Sequence, residues 1–488
     1  MKITETTSSA NVLRSEPEEF DLLILGGGTG STLAAWTFAG EGKRVAVVER
    51  KYIGGSCPNI ACLPSKNIIH SAKVASYFRR SKEFGISHDG FTIEMLGVRN
   101  RKRKMVSSLN EVYLDSYRKT GAEFILGTGR FVAPRTLEVT LADGTTRQLR
   151  GINVIVSTGT RATLGAVPGL AEAQPLTHVE ALELDQVPEH LLVIGGGYIG
   201  AELSQAMRRF GSKVTVIDRN ERLMSKEDED VCDALNRLLE DEGIDILLNA
   251  QIKRVSGKSG DSVTIVFEQG GTDRMRTGSH VLVATGRSPN TEGLGLDLAG
   301  VELTDRGYIK VNERLQTTAP GVWAIGEVAG SPQFTHISVD DFRVVHANLN
   351  GGNRVTTGRQ VPYCLFTDPE LAHIGLSETE AKAQGMPYRL FKVPMESNLR
   401  ARTFSETRGF LKALVGADTD RILGFTAFGV SAGEILASIQ VAMIGGLPYT
   451  VLRDAVLTHP TLVEGLIPLF SSAASTQNAA NASISSAA

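Results

Sequence analysis

Short apolar runs, each followed by glycines, divide the first part of this chain into elements. Residues 21–25 form one such run, a glycine-rich turn and an alanine-rich stretch follow to about Gly40, and residues 44–48 form a second run that ends at Glu49. Short apolar runs bounded by turn residues are typical of buried strands. The pattern therefore predicts a strand, a helix and a second, parallel strand.

The glycines between the first strand and the helix have the spacing of a dinucleotide-binding turn. Gly26, Gly28 and Gly30 lie there, and Glu49 closes the second strand. Glycines allow a tight turn and a close approach of a pyrophosphate to the helix N-terminus, and the acid binds a ribose hydroxyl. Ser31 stands where the third small residue is usually Gly or Ala, so we expect the helix to lie slightly further from the strand. These four glycine and glutamate positions are predicted to bind a cofactor.

The same arrangement returns at residues 190–218. Gly195, Gly197 and Gly200 follow an apolar run, and Asp218 closes the next one. The first glycine and the acid are 23 residues apart in both copies. Strand, glycines, helix, strand and acid together are far more specific than glycines alone. Two equivalent units predict two bound dinucleotides.

Two further short strands end in polar turns at residues 157–161 and 284–290, which contain Thr158, Gly159 and Gly286. We interpret each turn as a crossing between domains. The length of 488 residues agrees with about three domains of roughly 150 residues each.

Composition narrows the function classes. A net charge of -3 predicts no attraction to nucleic acid or to an anionic membrane. Residues 99–104 contain five basic residues in six, which we interpret as a solvated helix face. No apolar run is long enough to span a membrane, and the polar start lacks a secretion signal. We therefore expect a cytoplasmic protein.

The strongest chemical signal is the segment GGSCPNIACLPSK at residues 54–66, which contains Cys57 and Cys62. In a regular helix, residues five apart are separated by about 8 to 9 Å, and a disulfide tolerates at most about 7 Å between Cα atoms. Pro58 and Pro64 favour a break in the helix at this point. We predict a strained, reducible disulfide, with a thiolate stabilised by the helix N-terminus.

Other interpretations of the cysteine pair are a zinc site, an inert disulfide or two buried thiols. Structural zinc needs four ligands, and Cys232 and Cys364 are isolated in the sequence. An inert disulfide is not expected in a chain with four cysteines and no secretion signal. No metal site is predicted, and the neighbouring motifs argue against two unreactive thiols.

Together these motifs resemble the flavoprotein disulfide reductases, the family of dihydrolipoyl dehydrogenase, glutathione reductase and mercuric reductase, from about Phe20 to Phe470. The resemblance implies an α/β protein with two Rossmann-like domains, for FAD and NAD(P), and a C-terminal α+β dimerisation domain. The implied limits are a flexible arm at 1–19, an FAD domain at 20–167 and 290–358, an NAD(P) domain at 168–289, the dimerisation domain at 359–470 and a disordered tail at 471–488.

The resemblance also implies roles for single residues. The segment TTAPGVWAIGEV resembles a second FAD motif, with Glu327 in place of the usual Asp. Lys66 and Glu202 resemble a pair beside the flavin, and Tyr198 resembles a residue that gates the nicotinamide. Cys62 would face the flavin, and Cys57 would attack the substrate.

Near the C-terminus, HPTLVE begins at His459 and ends at Glu464. In the family this histidine reaches the thiols of the partner subunit and the glutamate orients it, which implies a homodimer. A histidine beside a carboxylate suits proton exchange near neutral pH.

The expected function is an FAD-dependent NAD(P)H oxidoreductase that passes electrons through the Cys57–Cys62 pair to a disulfide or another thiol-reactive substrate. Alternatives are dihydrolipoyl dehydrogenase of a 2-oxo acid dehydrogenase complex and a flavin-binding redox sensor or complex subunit without turnover. Asp218 favours NADH, although Arg219 and Arg222 lie close enough in sequence to accept a 2′-phosphate. Mercuric reductases of this family typically carry a C-terminal cysteine pair, which is absent after Cys364 here, and usually lack a histidine at the position of His459. Both differences argue against mercury reduction.

Overall fold

The computed structural model describes residues 16–477, so most of the predicted arm and the end of the predicted tail lie outside it. The helices of this part of the chain are α1 (Thr29–Gly40), α2 (Ser56–Asn59), α3 (Cys62–Arg79), α4 (Met95–Thr120), α5 (His178–Ala181), α6 (Tyr198–Phe210), α7 (Glu229–Asp241), α8 (Thr335–Leu349), α9 (Glu378–Ala383), α10 (Leu399–Thr403), α11 (Ala432–Ile444), α12 (Tyr449–Arg453) and α13 (Leu466–Ser471). The strands are β1 (Glu18–Leu25), β2 (Val45–Glu49), β3 (Glu123–Ala133), β4 (Thr136–Leu141), β5 (Thr146–Val156), β6 (Thr160–Ala162), β7 (His190–Ile194), β8 (Lys213–Ile217), β9 (Asp245–Leu247), β10 (Gln251–Lys258), β11 (Ser262–Gln269), β12 (Thr272–Gly278), β13 (His280–Val283), β14 (Arg287–Pro289), β15 (Val322–Ala324), β16 (Tyr363–Leu365), β17 (Glu370–Gly375), β18 (Tyr388–Pro394), β19 (Phe410–Gly416), β20 (Ile422–Gly429) and β21 (Ser475–Gln477).

The described chain divides into two compact units. The first unit contains residues 16–57, 109–160 and 289–357, and the second contains residues 58–108, 161–288 and 358–477. The division into three functional domains stays a prediction.

The first unit is built on five parallel strands in the order β3, β2, β1, β5, β15, and β4 pairs antiparallel with both β3 and β5. Its middle strand β1 buries both faces, since Leu23 and Leu25 enter one apolar core while Leu22 and Ile24 enter another. A strand covered on both faces reads as a continuous apolar run. This explains the unbroken apolar run at residues 22–25, and the predicted strand, turn and helix are confirmed.

The second unit contains the repeat of this arrangement. Strands β9, β8, β7 and β13 form a parallel sheet. Leu191 and Val193 of β7 point into one core, and Leu192 and Ile194 point into another. A meander of β10, β11 and β12 follows. The same local pattern therefore gives the same element twice.

The second unit also holds an antiparallel sheet in the order β16, β17, β20, β19, β18, β21. Helices α11 and α13 contribute Ile435, Ile439, Leu466 and Phe470 to the core beside it. The predicted fold class, α/β with a C-terminal α+β part, is confirmed.

Two sequence expectations differ from the structure. The tail predicted as disordered from Ser471 includes β21, which pairs with β18. In the basic run, the Lys102 side chain is 1% exposed, and its ammonium contacts Glu183 and donates to the Leu182 carbonyl at 2.9 Å. The run is therefore partly buried, because a carboxylate distant in sequence compensates the charge of one lysine. Within residues 16–477, no helix has both the length and the apolar character needed to cross a membrane.

Candidate active site

The first glycine turn lies between β1 and α1 in the first unit. Gly26 has a φ of 102°, and a Cβ atom there would lie 2.4 Å from the Ser157 carbonyl oxygen. A Cβ atom on Gly30 would lie 2.3 Å from the Ser338 carbonyl oxygen of α8. Both glycines are therefore required by packing within the protein.

Ser31 is accommodated by a hydrogen bond. Its buried hydroxyl lies 2.7 Å from the Gly26 carbonyl oxygen, to which it donates. The equivalent residue of the second turn is Gly200, where a Cβ atom would lie 1.9 Å from the Gly195 carbonyl oxygen. In the first turn, the Ser31 hydroxyl therefore donates to the Gly26 carbonyl. In the second turn, the equivalent carbonyl of Gly195 packs directly against Gly200, which has no side chain.

The middle glycine of each turn behaves differently. A Cβ atom on Gly28 would meet no atom of the described chain closer than 3.6 Å, and one on Gly197 would meet none within 4 Å. Protein packing therefore does not explain why these two positions lack a side chain. Each stands at the start of a helix, where backbone N–H groups attract phosphate. Both turns fit the pyrophosphate of a dinucleotide.

The two predicted acids make matching contacts. The Gly27 N–H donates to Glu49 at 2.7 Å, and the Gly196 N–H donates to Asp218 at 2.6 Å. The other carboxylate oxygen accepts the N–H two residues further along, from Lys51 at 2.8 Å and from Asn220 at 2.8 Å. Each carboxylate therefore links its glycine turn to the end of the neighbouring strand, β2 for Glu49 and β8 for Asp218.

The remaining predicted cofactor residues of the first unit lie on turns. The Thr158 hydroxyl donates to the Asn290 carbonyl at 2.8 Å, and the Gly159 carbonyl accepts the Asn290 N–H at 2.9 Å. The Thr160 hydroxyl donates to Glu327. Glu327 thus makes a protein contact in the position of the usual Asp. Gly286, in the second unit, has a φ of 130° and requires glycine for its backbone conformation.

The cysteine segment has the predicted break in its helix. Helix α2 ends at Asn59 and α3 begins at Cys62, and between them Ala61 has φ of -131° and ψ of -101°. Pro64 is the third residue of α3, where a missing N–H costs no helical bond. Cys62 is the first residue of the helix, where the backbone dipole stabilises a thiolate.

The loop before Cys57 packs on the first nucleotide turn. Gly55 has a φ of 71°, and a Cβ atom there would lie 2.6 Å from the Gly28 Cα atom. The carboxylate of Glu49 also accepts the Tyr52 N–H at 3.2 Å. Within the first unit, these contacts hold the start of the cysteine segment beside Gly28.

The predicted Lys66–Glu202 pair forms within the second unit. The Lys66 ammonium lies 2.7 Å from the Glu202 carboxylate, whose side chain is 7% exposed. Phe366 completes the contact, since its N–H donates to Glu202 at 2.8 Å and its ring centre lies 4.7 Å from the lysine nitrogen. Lys66 is one helical turn after Cys62, so the positive charge is held near the helix start. Phe366 was not identified as a site residue from the sequence.

His459 and Glu464 also come together. The imidazole Nδ1 lies 3.1 Å from Glu464, and the other carboxylate oxygen accepts the Thr461 N–H at 2.8 Å. The Thr461 N–H, and then the His459 ring, lower the pKa of Glu464 below its ordinary value. The carboxylate is therefore ionised at neutral pH and orients the ring, which is 64% exposed.

Tyr198, the first residue of α6, lies beside Tyr363, which in turn contacts Glu227. No sequence pattern indicated that Tyr363 and Glu227 lie near Tyr198. The Tyr198 ring centre lies 5.8 Å from that of Tyr363, and the two rings meet edge to face at an angle of 85°. The Tyr363 hydroxyl donates to Glu227, with both carboxylate oxygens at 2.7 Å. These residues are 136 positions apart in the chain, so only the folded structure shows their contact.

The other two cysteines are poor nucleophiles. Burial raises the pKa of the Cys232 thiol to about 11, and burial followed by the charge of Glu370 raises the pKa of Cys364. Both are therefore protonated at neutral pH. Cys57 and Cys62, which are half-buried, therefore stay the predicted reactive thiols.

Comparison with protein families gives two matches. Residues 20–341 match the pyridine nucleotide-disulphide oxidoreductase family. Residues 361–468 match the dimerisation domain of the same oxidoreductases. The two matches together cover most of the described chain.

Curated relatives agree with these matches. The probable pyridine nucleotide-disulfide oxidoreductase RclA of Escherichia coli (strain K12) is 34% identical over 93% of this chain and 99% of that relative. The mitochondrial dihydrolipoyl dehydrogenase of Dictyostelium discoideum is 31% identical over 92% of this chain and 93% of that relative. A solved structure, the Cu(II) complex of the HOCl-induced flavoprotein disulfide reductase RclA from Escherichia coli, superimposes with a TM-score of 0.85 at 32% identity, covering 93% of this chain and 99% of that one.

Proposed function

This chain belongs to the pyridine nucleotide-disulfide oxidoreductase family, and on that premise we propose that it is an FAD-dependent NADH oxidoreductase. Its electrons pass through the Cys57–Cys62 pair to a disulfide or another thiol-reactive oxidant. The observation that carries the proposal is Cys62 at the N-terminus of α3, one turn before Lys66 and its partner Glu202. A fixed positive charge and a helix N-terminus favour a thiolate at this position.

The two glycine turns supply the nucleotide sites. Gly28 and Glu49 would hold the ADP part of FAD, and Gly197 and Asp218 would hold that of NADH. When bound, FAD supplies two-electron transfer between the nicotinamide and the disulfide. Lys66 would stabilise negative charge that develops beside it.

The thiols divide the work between them. In the oxidised protein they form a disulfide, and its reduction releases two thiols. Cys57, in the short helix α2 that precedes α3, attacks the substrate disulfide, and the departing thiol takes up a proton. Cys62 then closes the bond with Cys57, which restores the protein disulfide and releases the second product thiol.

His459 of the partner subunit would supply the proton. Its Nδ1–H donates to Glu464, so Nε2 is left to carry the exchanged proton. The exposed ring in one chain and the dimerisation domain match support a homodimer in which each site takes a histidine from the other subunit.

The charges near Asp218 support NADH over NADPH. A carboxylate repels a 2′-phosphate, and Arg222 is already engaged, with Glu229 and with Asp233 at 3.3 Å. A guanidinium held by two carboxylates is poorly available to a phosphate. Arg219 is exposed, and salt screens charges at the protein surface. We therefore expect a preference for NADH and not an exclusion of NADPH.

A steady-state screen of the FAD-loaded protein tests the proposal. NADH and NADPH are each tried with lipoamide, glutathione disulfide, quinones, mercuric ion and cupric ion, the last because a relative was solved as a Cu(II) complex. We expect NADH oxidation with an acceptor that reacts with thiols, lost in Cys57→Ser. Turnover of lipoamide alone would favour dihydrolipoyl dehydrogenase, and no turnover with any acceptor would favour the redox sensor.

A further inference from the structure

Helix α3, which begins at Cys62, is held by ion pairs along one face. Lys66 binds Glu202 of α6. Lys73 lies about two helical turns further along the same face, and its ammonium lies 2.9 Å from the Asp368 carboxylate. Asp368 stands shortly before β17 of the antiparallel sheet. The helix that carries Cys62 is therefore attached both to α6 and to that sheet.

Asp368 is the residue at which α3, α6 and the antiparallel sheet meet. Its second carboxylate oxygen accepts from the Arg209 guanidinium of α6 at 2.7 Å. Its N–H donates to the Gln205 side chain at 2.8 Å, and its carbonyl accepts from the same side chain at 2.9 Å. The residue is buried. Both the side chain and the backbone of Asp368 therefore hold α6, while the carboxylate also holds α3.

The charge of Asp368 is fixed by its two cations. Burial alone would raise the pKa of this carboxyl, but the charges of Arg209 and Lys73 hold it below its ordinary value. The carboxylate is therefore ionised at neutral pH. A buried ion that loses its partner is strongly unfavourable, so α3 cannot slide along the sheet without separating buried charges.

A second attachment lies just after the end of α3. The Arg80 guanidinium donates to the Ser405 carbonyl and lies 3.6 Å from the Glu406 carboxylate. Glu406 is buried, and both residues precede β19 of the same antiparallel sheet. A helix that is held to one sheet at two points can neither slide nor pivot. The position of Cys62 relative to the sheet is therefore fixed.

His459 is fixed relative to the same sheet. It lies between α12 and α13, and α13 contributes Leu466 and Phe470 to the core beside the sheet. In a two-fold symmetric dimer, both subunits use the same surface. The distance from Cys62 to the partner's His459 therefore depends on how each chain holds α3 and His459 on its own sheet.

We propose that Asp368 and Lys73 are positioning residues that hold α3 on the antiparallel sheet and so align the thiol pair with His459 of the partner subunit. The inference rests on the proposed function, because this alignment matters only in a homodimer that exchanges protons across the interface. A displacement of about 1 Å can slow a reaction by about 10²-fold. The attachment should therefore affect the reaction with a disulfide, and leave oxidation of NADH by FAD unchanged.

Asp368→Asn tests the proposal. Asparagine keeps the shape and the backbone contacts with Gln205, and Arg209 retains Glu242 at 2.6 Å. Two turnover rates are measured with NADH on the FAD-loaded protein. Hydroxyethyl disulfide must react through the thiols, whereas ferricyanide takes electrons from reduced flavin directly. We expect the disulfide rate to fall by about five- to a hundredfold while the ferricyanide rate stays unchanged.

A double-mutant cycle with His459→Ala separates positioning from a general loss of structure. Asp368→Asn/His459→Ala should be no slower with the disulfide than His459→Ala alone, because alignment has no effect once the imidazole is absent. Losses that multiply, or an equal loss of both rates in Asp368→Asn, would overturn the proposal. Sedimentation should show a dimer for Asp368→Asn, and a monomer would assign the effect to assembly and overturn the proposal as well.

Asp228→Asn is the matched control. Asp228 is a buried carboxylate of the same unit with a lysine partner, Lys412 at 2.8 Å, and it accepts the N–H groups of Glu378 and Thr379. These contacts go to β19 and α9, and not to α3. The control should melt at a lower temperature and keep the ratio of the two rates. A lowered ratio in Asp228→Asn would mean that loosening of the unit sets the disulfide rate, which would overturn the proposal.

Lys73→Met provides a second variant in case Asp368→Asn does not fold. Lys73 is 29% exposed, and its loss leaves Asp368 paired with Arg209. It should lower the disulfide rate selectively, and an unchanged ratio would overturn the inference. If the unaltered protein oxidised no NADH with either acceptor, or if His459→Ala left the disulfide rate unchanged, the proposed function would fail together with this inference. A selective loss in His459→Ala beside an unresponsive Asp368→Asn would overturn the inference alone.

Discussion

Replacing Lys412 with methionine should strongly destabilise the second unit. The lysine side chain is fully buried on β19, and its ammonium lies 2.8 Å from Asp228, 2.8 Å from Asp230 and 3.2 Å from Glu378. Methionine keeps most of the apolar stem but removes the charge. Three carboxylates would then lose their common cation, and removing one member of a buried ion pair costs about 3–5 kcal/mol.

The pKa of Asp228 provides a second measure of the stability that would be lost at one of these three carboxylates. Burial alone would raise the pKa, but the hydrogen bond and the charge of Lys412, followed by the backbone N–H groups of Thr379 and Glu378, lower it from 3.8 to about 2. At about 1.4 kcal/mol per pKa unit, the difference corresponds to about 2.5 kcal/mol of stability at neutral pH, of which Lys412 contributes the largest part. The folded-state pKa is the lower one, so this stability is present above the unfolded value of 3.8 and is lost as the pH falls towards about 2.

Native-state hydrogen exchange of the β19 amides measures the local free energy of opening at pH 7. Urea unfolding at several pH values then follows the difference in unfolding free energy between the variant and the unaltered protein, which should shrink on acidification by at most about 2.5 kcal/mol. Lys392→Met is the matched control, because Lys392 binds Asp230 at 2.5 Å but is 39% exposed. It should cost less than about 1 kcal/mol. Equal stability of Lys412→Met and the unaltered protein would refute the reasoning.

Three further predictions concern the proposed chemistry. Reduction by one equivalent of NADH should expose two titratable thiols. Cys57→Ser or Cys62→Ser should abolish this gain in thiols while FAD stays bound. Unchanged disulfide turnover in both variants would contradict the assignment of Cys57 and Cys62 as the redox pair. His459→Ala should slow turnover by about 10²- to 10⁴-fold, the usual contribution of a positioned acid or base, and mixing it with Cys57→Ser should regain activity through heterodimers with one intact site. A monomeric, fully active protein in sedimentation would exclude that arrangement. The kcat/KM should be higher for NADH than for NADPH, and Asp218→Asn should narrow the ratio; a preference for NADPH in the unaltered protein would refute the role of Asp218.

Local spacing explains what could be predicted from the sequence. The strand at residues 22–25, the turn at Gly26 and the helix to Gly40 follow from apolar runs and glycines that are neighbours in the chain. The break before Cys62 follows from two prolines and the reach of a disulfide. These features depend on interactions within a few residues, which a sequence pattern records directly.

Long-range partners could not be predicted in this way. Tyr363 and Glu227, or Lys412 and Asp228, are joined across more than a hundred residues by the packing of separate elements. Burial of Lys102 depends on Glu183 in the same manner, so the expectation of a solvated helix face holds for Arg101, Arg103 and Lys104 and fails only for Lys102 and in part for Arg99. The pair of Lys66 and Glu202 was anticipated only because a family resemblance supplied the partner.

Pro64 has a consequence for how the thiol segment can move. Helix α3 cannot be extended backwards by a regular turn, because Pro64 has no N–H to donate to the Ile60 carbonyl. Cys62 is therefore the first residue of a regular helix, and only residues 60–61 join it to α2, which contains Cys57. In the proposed thiol–disulfide cycle, a change in the distance between the two sulfurs would be taken up by the residues between α2 and α3, so that α3 could keep Lys66 in place.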